Sequence, residues 1–134
     1  MTVTIASDLL DQILREAAAS PDAEVCGLLL GSAERIDGVQ SCRNVAADPS
    51  RWFDIDPATL LAAHRRARTG GPRIVGHYHS HPTGIAAPSP RDAEAAMADG
   101  TLWLIVAGGA VTMWRAVEAG AIQGRFDPVV VRNA

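Results

Sequence analysis

The stretch RIVGHYHSHPTGIAAPSPRDAEAAMADGTLWLIVAGGAVTMWRAV, residues 73–117, decides how this chain is built. Arg73 to His81 reads as a strand, and Pro82 to Pro88, with its glycine and two prolines, as a loop. Ser89-Pro90 starts a helix expected to run to about Asp99. Leu102 to Ala107 and Val111 to Val117 are apolar runs on either side of Gly108-Gly109, a strong hairpin signal. Strand, helix and hairpin in succession favour an α+β or mixed sheet over regular βαβ winding.

Working upstream, Asp56-Pro57 opens a helix, with Asp56 as N-cap, that Gly70-Gly71-Pro72 breaks. Trp52 to Ile55 is a short strand candidate. Val39 to Val45 reads as a strand entered through a turn at Asp37-Gly38, and Val25 to Leu30, closed by Gly31, as its buried partner. Ser7 is placed to cap a first helix, whose Leu9, Leu10, Ile13, Leu14 and Ala17 follow helical spacing until Pro21 nears. Downstream, one or two short strands fall around Ala121 to Phe126 and Val129 to Val131.

At 134 residues, 48% hydrophobic and 20% charged, the chain suits one globular domain spanning 1–134. A net charge of −3 carries no basic footprint for nucleic acid or anionic lipid. No apolar run is long enough to span a bilayer, and Met1 to Ala6 lacks the basic start of a leader, so a cytoplasmic protein is expected. The two cysteines, Cys26 and Cys42, are too few for a disulfide framework and are read as small buried hydrophobes.

Three of the four histidines fall at 77, 79 and 81. Residues two apart on a strand share a face, so His77, His79 and His81 lie on one side. Two imidazoles at this spacing can hold one zinc ion, and a catalytic site takes three protein ligands and leaves a position open. The third ligand could be His77 or a carboxylate from elsewhere; strand geometry does not choose. Asp92 is the attractive carboxylate, in the first turn of the helix that follows. Ser89-Pro90-Arg91-Asp92 also resembles a capping box, and capping alone would account for both polar residues. The nearby histidines shift the balance toward a metal. A zinc hydrolase needs a proton acceptor as well, and Glu24, at the mouth of the Val25 to Leu30 strand, is the candidate against a plain solvated loop glutamate.

Together these residues resemble a known pattern. His79-Ser80-His81-Pro82, with Ser89 and Asp92 following at fixed spacing, is similar to the JAMM motif of MPN-domain metalloproteases. Glu24-Val25-Cys26-Gly27-Leu28-Leu29-Leu30-Gly31 is similar to the segment that carries the same family's glutamate. The resemblance covers Glu24 through the Leu102 to Arg115 hairpin.

It implies a curved mixed β-sheet flanked by helices, in a cytidine-deaminase-like arrangement. It implies one zinc ion per chain held by His79, His81 and Asp92, with Glu24 as general base and Ser89 donating a hydrogen bond to the oxyanion. His77 matches no ligand of the family and is left as a packing or supporting residue. The short Pro82 to Pro88 loop and the near-minimal length resemble prokaryotic members. The expected activity is therefore hydrolysis of a peptide, isopeptide or related amide bond after the Gly-Gly tail of a ubiquitin-like sulfur-carrier protein. Such a tail suits a narrow groove with extended backbone pairing. The competing reading is an MPN domain that has lost its metal and serves as a scaffold or binding module.

Overall fold

Gly108 and Gly109 both take positive φ, 57° and 78°, the conformation a two-residue hairpin turn demands. They join β5 (Leu102–Ala107) to β6 (Ala110–Gly120), and Ala107 pairs with Ala110 across the turn. In the computed structural model, which describes all 134 residues, these two strands belong to a sheet of seven. The others are β1 (Thr2–Ile5), β2 (Cys26–Gly31), β3 (Arg35–Cys42), β4 (Ile74–Ser80) and β7 (Gly124–Asn133). Three helices intervene: α1 (Ser7–Ala18), α2 (Pro57–Arg68) and α3 (Pro90–Ala95).

The strand order is β1-β3-β2-β4-β5-β6-β7, and β1 closes the sheet by pairing in parallel with both β3 and β7. Parallel and antiparallel pairs are mixed, in keeping with the α+β class read from the sequence. Closure at β3 is short: β1 meets it only at Arg35 and Ile36, so no strand pairs with the outer side of Asp37 to Cys42. No helix is long and apolar enough to cross a membrane.

Two apolar clusters cover opposite faces. Leu10 and Ile13 of α1 pack with Val3, Ile5, Leu29, Tyr78, Leu104 and Met113. Tyr78 lies over Gly27, filling the space a side chain there would need, and its hydroxyl donates to Glu16 Oε1 at 2.8 Å, tying α1 to the sheet. Phe53, Trp103, Phe126, Ala96 and Cys26 form the second cluster, on the face that carries His79. Gly76 pairs with Leu102 in the parallel β4–β5 ladder, and a Cβ there would strike the Leu102 carbonyl. Backbone cannot swing aside as a side chain can. Gly76→Ala should therefore lower stability by about 2 kcal/mol or more, read from the urea midpoint at unchanged m-value.

Several local expectations are corrected. Asp37-Gly38 is not a turn but lies within β3; the chain reverses at Ser32 to Glu34, where Ser32 Oγ accepts from the N–H groups of Glu34 and Arg35. The N-cap of α1 is Ala6, and Ser7 sits inside the helix with its hydroxyl donating to Asn133 Oδ1 at 3.2 Å. Helix α3 stops at Ala95 because Ala96 turns extended to pack in the second cluster, overriding the helical preference of the alanines. Trp52 to Ile55 is no strand, only a single bridge from Ile55 to Asn44. One strand, β7, replaces the short C-terminal pair, and β1 was not expected at all although Val3 and Ile5 are fully buried.

Candidate metal centre

Strand β4 delivers His79 opposite Cys26 on one side and Ile105 on the other, and its ring is completely buried. His81 follows just past the strand end, held by its N–H to the Val106 carbonyl at 2.8 Å. Between them, Ser80 points to the opposite face and performs a fastening role. Its Oγ accepts from Val25 N at 2.9 Å, and its own N–H donates to Val25 O at 3.1 Å. That double clasp pins the start of β2 to the end of β4 and so brings Glu24 beside the two histidines. Nothing in the local sequence around Ser80 signals a partner 55 residues away.

Asp92 comes from α3. The reciprocal capping box is present: Ser89 Oγ accepts from Asp92 N at 3.1 Å and Asp92 Oδ2 accepts from Ser89 N at 2.9 Å. Capping uses one oxygen and does not explain the other. Asp92 is 1% exposed, its Oδ1 lies 3.4 Å from His79 Nε2 without a hydrogen bond, and its Oδ2 lies 3.2 Å from His81 Nε2. Glu24, 6% exposed, offers a carboxylate oxygen that together with His79 and His81 forms a set of ligand atoms within 4.8 Å of one another, and its Oε1 has no partner either.

The donor set fits a divalent cation. His81 Nδ1 lies 2.8 Å from the Ile85 carbonyl; donating its proton there leaves the Nε2 lone pair facing inward. That nitrogen is 3.0 Å from His79 Nε2. Two imidazole nitrogens and the oxygens of two carboxylates thus point at one small buried volume, where lone pairs repel unless a proton or a cation sits among them. Nitrogen and oxygen donors in this mixture suit zinc. Two carboxylates compete for the third ligand position. Asp92 lies within 3.4 Å of both nitrogens, with each oxygen aimed at a different ring. A Glu24 carboxylate oxygen groups with the same two nitrogens within 4.8 Å, so both carboxylates lie within reach of one ion.

Charge in the pocket is redistributed accordingly. Burial pushes the Glu24 carboxyl up to about 7 from an ordinary 4.5, partly offset by His81. Burial also acts upward on Asp92, but its contacts with His79 and His81 outweigh it and hold the carboxyl well below the usual range. Burial lowers His79; for His81 burial is outweighed by the Asp92 carboxylate and the Ile85 carbonyl, which favour the protonated ring, and its pKa is raised. The Glu24 shift has a consequence for the metal-free protein. The folded state keeps a proton that the unfolded chain releases between pH 4.5 and about 7, so stability falls across that window and the penalty is full above it. Glu24→Gln should make the metal-free protein more stable by about 2 kcal/mol near pH 8, with no gain below about pH 4.5; denaturant melts at the two pH values check this.

His77 stays outside the group. Its ring centroid lies 4.3 Å from Trp103 in an edge contact and 6.4 Å from His79, and burial lowers its pKa to about 3. Cys26 is paired in register with His79 and so shares its face, but it is buried and burial pushes its thiol up to about 12, which leaves no thiolate to act as a nucleophile. Both cysteines are free. Sequence reasoning missed Asn44, whose side chain bonds the Glu24 and Trp52 carbonyls at 2.9 and 3.0 Å.

Comparison with known proteins identifies the family. Residues 6–120 match the family of prokaryotic homologs of the JAB domain. The chain is 38% identical over 109 residues to a desampylase of Haloferax volcanii, covering 77% of this chain and 78% of that protein. It is 39% identical over 80 residues to a protein of Thermus thermophilus named "Probable TtuB-protein conjugate cleaving protease", covering 60% of this chain and 51% of the relative. A JAB1/MPN domain protein from Archaeoglobus fulgidus shares the fold with a TM-score of 0.62 at 20% identity, over 98% of both chains. With a histidine pair, a capped aspartate and a buried glutamate gathered on that fold, this chain belongs to the prokaryotic JAB-domain family.

Proposed function

We propose that this chain is a zinc-dependent metallopeptidase that hydrolyses the peptide or isopeptide bond after the Gly-Gly tail of a ubiquitin-like sulfur-carrier protein. One observation carries the reading: two imidazole Nε2 atoms and two buried carboxylates face one another, with Asp92 Oδ1 and Glu24 Oε1 left without hydrogen-bond partners. His79, His81 and Asp92 would hold one zinc ion, whose Lewis acidity polarises a carbonyl and makes water a stronger nucleophile.

The protein's own groups do the rest. Glu24, with a carboxyl displaced toward neutrality, takes the proton of the attacking water and passes it to the leaving amine. Ser89 Oγ accepts from Asp92 N and keeps its own hydrogen to donate to the developing oxyanion. The printed names of the relatives, a desampylase and a TtuB-protein conjugate cleaving protease, support a substrate joined to a ubiquitin-like protein.

The test is a ubiquitin-like sulfur carrier joined through its Gly-Gly carboxyl terminus to a lysine ε-amine and followed by intact mass. Release of carrier ending at Gly-Gly, abolished by chelator and restored by zinc, is expected. An intact conjugate in the presence of zinc-loaded protein would overturn the substrate; a protein that takes up no zinc would favour the scaffold reading instead.

A further inference from the structure

His79 and His81 are steadied by different means. A histidine that ligates a metal usually gives its second ring N–H to an acceptor, which fixes the ring plane. His81 does so through the Ile85 carbonyl, whereas His79 Nδ1 is buried and has no hydrogen-bond partner. What holds the His79 ring is Phe53, stacked on it at 4.3 Å between centroids and 18° between planes, with Trp103 edge-on at 5.8 Å. Phe53 is itself only 7% exposed and lies in neither a helix nor a strand.

The loop that carries Phe53 is held by backbone bonds from Val45 N to Asp54 O at 2.9 Å and from Asp56 N to Arg43 O at 3.1 Å, and by the side chain of Asn44. Asn44 Nδ2 donates to Trp52 O at 3.0 Å, and its Oδ1 accepts from Asp54 N at 3.1 Å, bracketing Phe53 on both sides. The same Nδ2 donates to Glu24 O at 2.9 Å, and Glu24 N donates to Pro49 O at 2.7 Å. One loop therefore grips both backbone groups of Glu24 and lays an aromatic face on His79.

Resting on the metallopeptidase reading, we propose that Phe53 and Asn44 are positioning residues. Phe53 sets the plane of His79 for the metal in place of a hydrogen bond, and Asn44 sets Phe53 relative to Glu24. Neither touches the reacting atoms. An aromatic stack of this kind is worth about 0.5–1.5 kcal/mol, which transferred in full to metal binding would change zinc affinity roughly 2- to 13-fold.

The test measures zinc affinity by competition with a chromophoric chelator, together with the visible spectrum of the cobalt-substituted protein and the urea midpoint. Phe53→Leu keeps apolar volume and loses the stack; it should weaken zinc binding roughly 2- to 13-fold and shift the cobalt bands, while Phe53→Tyr keeps both near the parent. Asn44→Ala should weaken zinc binding as well, and in the Phe53→Leu background it should add little, because both act through one ring. A Phe53→Leu protein that is less stable yet retains the parent zinc affinity and cobalt spectrum would reduce Phe53 to core packing and overturn the proposal. Additive losses would break the link through Asn44. A parent that binds no zinc would overturn the metal reading itself, a separate failure visible before any variant is made.

Discussion

Replacing Glu24 with glutamine should leave zinc bound while turnover falls by roughly 10²–10⁴-fold, the usual range for removing a positioned general base. The substitution keeps shape and burial and removes only the ability to accept a proton. Asp92 approaches the two nitrogens at 3.2 and 3.4 Å and a Glu24 oxygen groups with them within 4.8 Å, so zinc retention in this variant decides which carboxylate is the ligand. Its raised carboxyl suits a group that must alternate between acid and base near neutrality. Zinc content by elemental analysis and turnover on a carrier conjugate, measured on one preparation, separate the two roles. If zinc and activity disappear together, Glu24 is a ligand; if activity survives, it is neither.

Asp92→Asn should have the larger effect on metal. An asparagine Oδ1 can still accept from Ser89 N, so the capping box is largely retained, but the negative charge between His79 and His81 is gone. Zinc affinity should fall by more than about 100-fold, beyond what is typical for losing a merely supporting contact, and the metal-free protein should also lose, at neutral pH, the stabilisation its ionised carboxylate draws from His79 and His81. His77→Ala serves as the contrast: its ring packs on Trp103, away from the cluster, and zinc affinity should stay near that of the parent. A zinc-loaded Asp92→Asn protein would return Asp92 to a capping role alone.

Much of this was legible because it is local. The alternation His77, His79, His81 follows from strand geometry, the Gly108-Gly109 turn from backbone conformation, and the Ser89–Asp92 capping box from residue spacing. The illegible parts depend on contacts between distant segments. Ser80 clasps Val25 across 55 positions, and Asn44 reaches back 20 residues to Glu24, pairings that no periodicity encodes. Phe53 read only as part of a short strand because its apolar side chain says that it packs, not that it packs on an imidazole. The turn before β3 was misplaced for a related reason: Asp37-Gly38 has turn chemistry, but pairing with β2 draws Gly38 into the sheet opposite Leu30. The early end of α3 likewise reflects burial of Ala96 winning over helical preference.

The central claim is that His79, His81 and Asp92 form one zinc site. X-ray absorption at the zinc edge of the loaded parent protein tests it without reference to any substrate. Two imidazole ligands with the remaining shell made of oxygen donors, and no sulfur, is the expected result. A third imidazole, which would bring in His77, or a sulfur from Cys26 or Cys42, would contradict it.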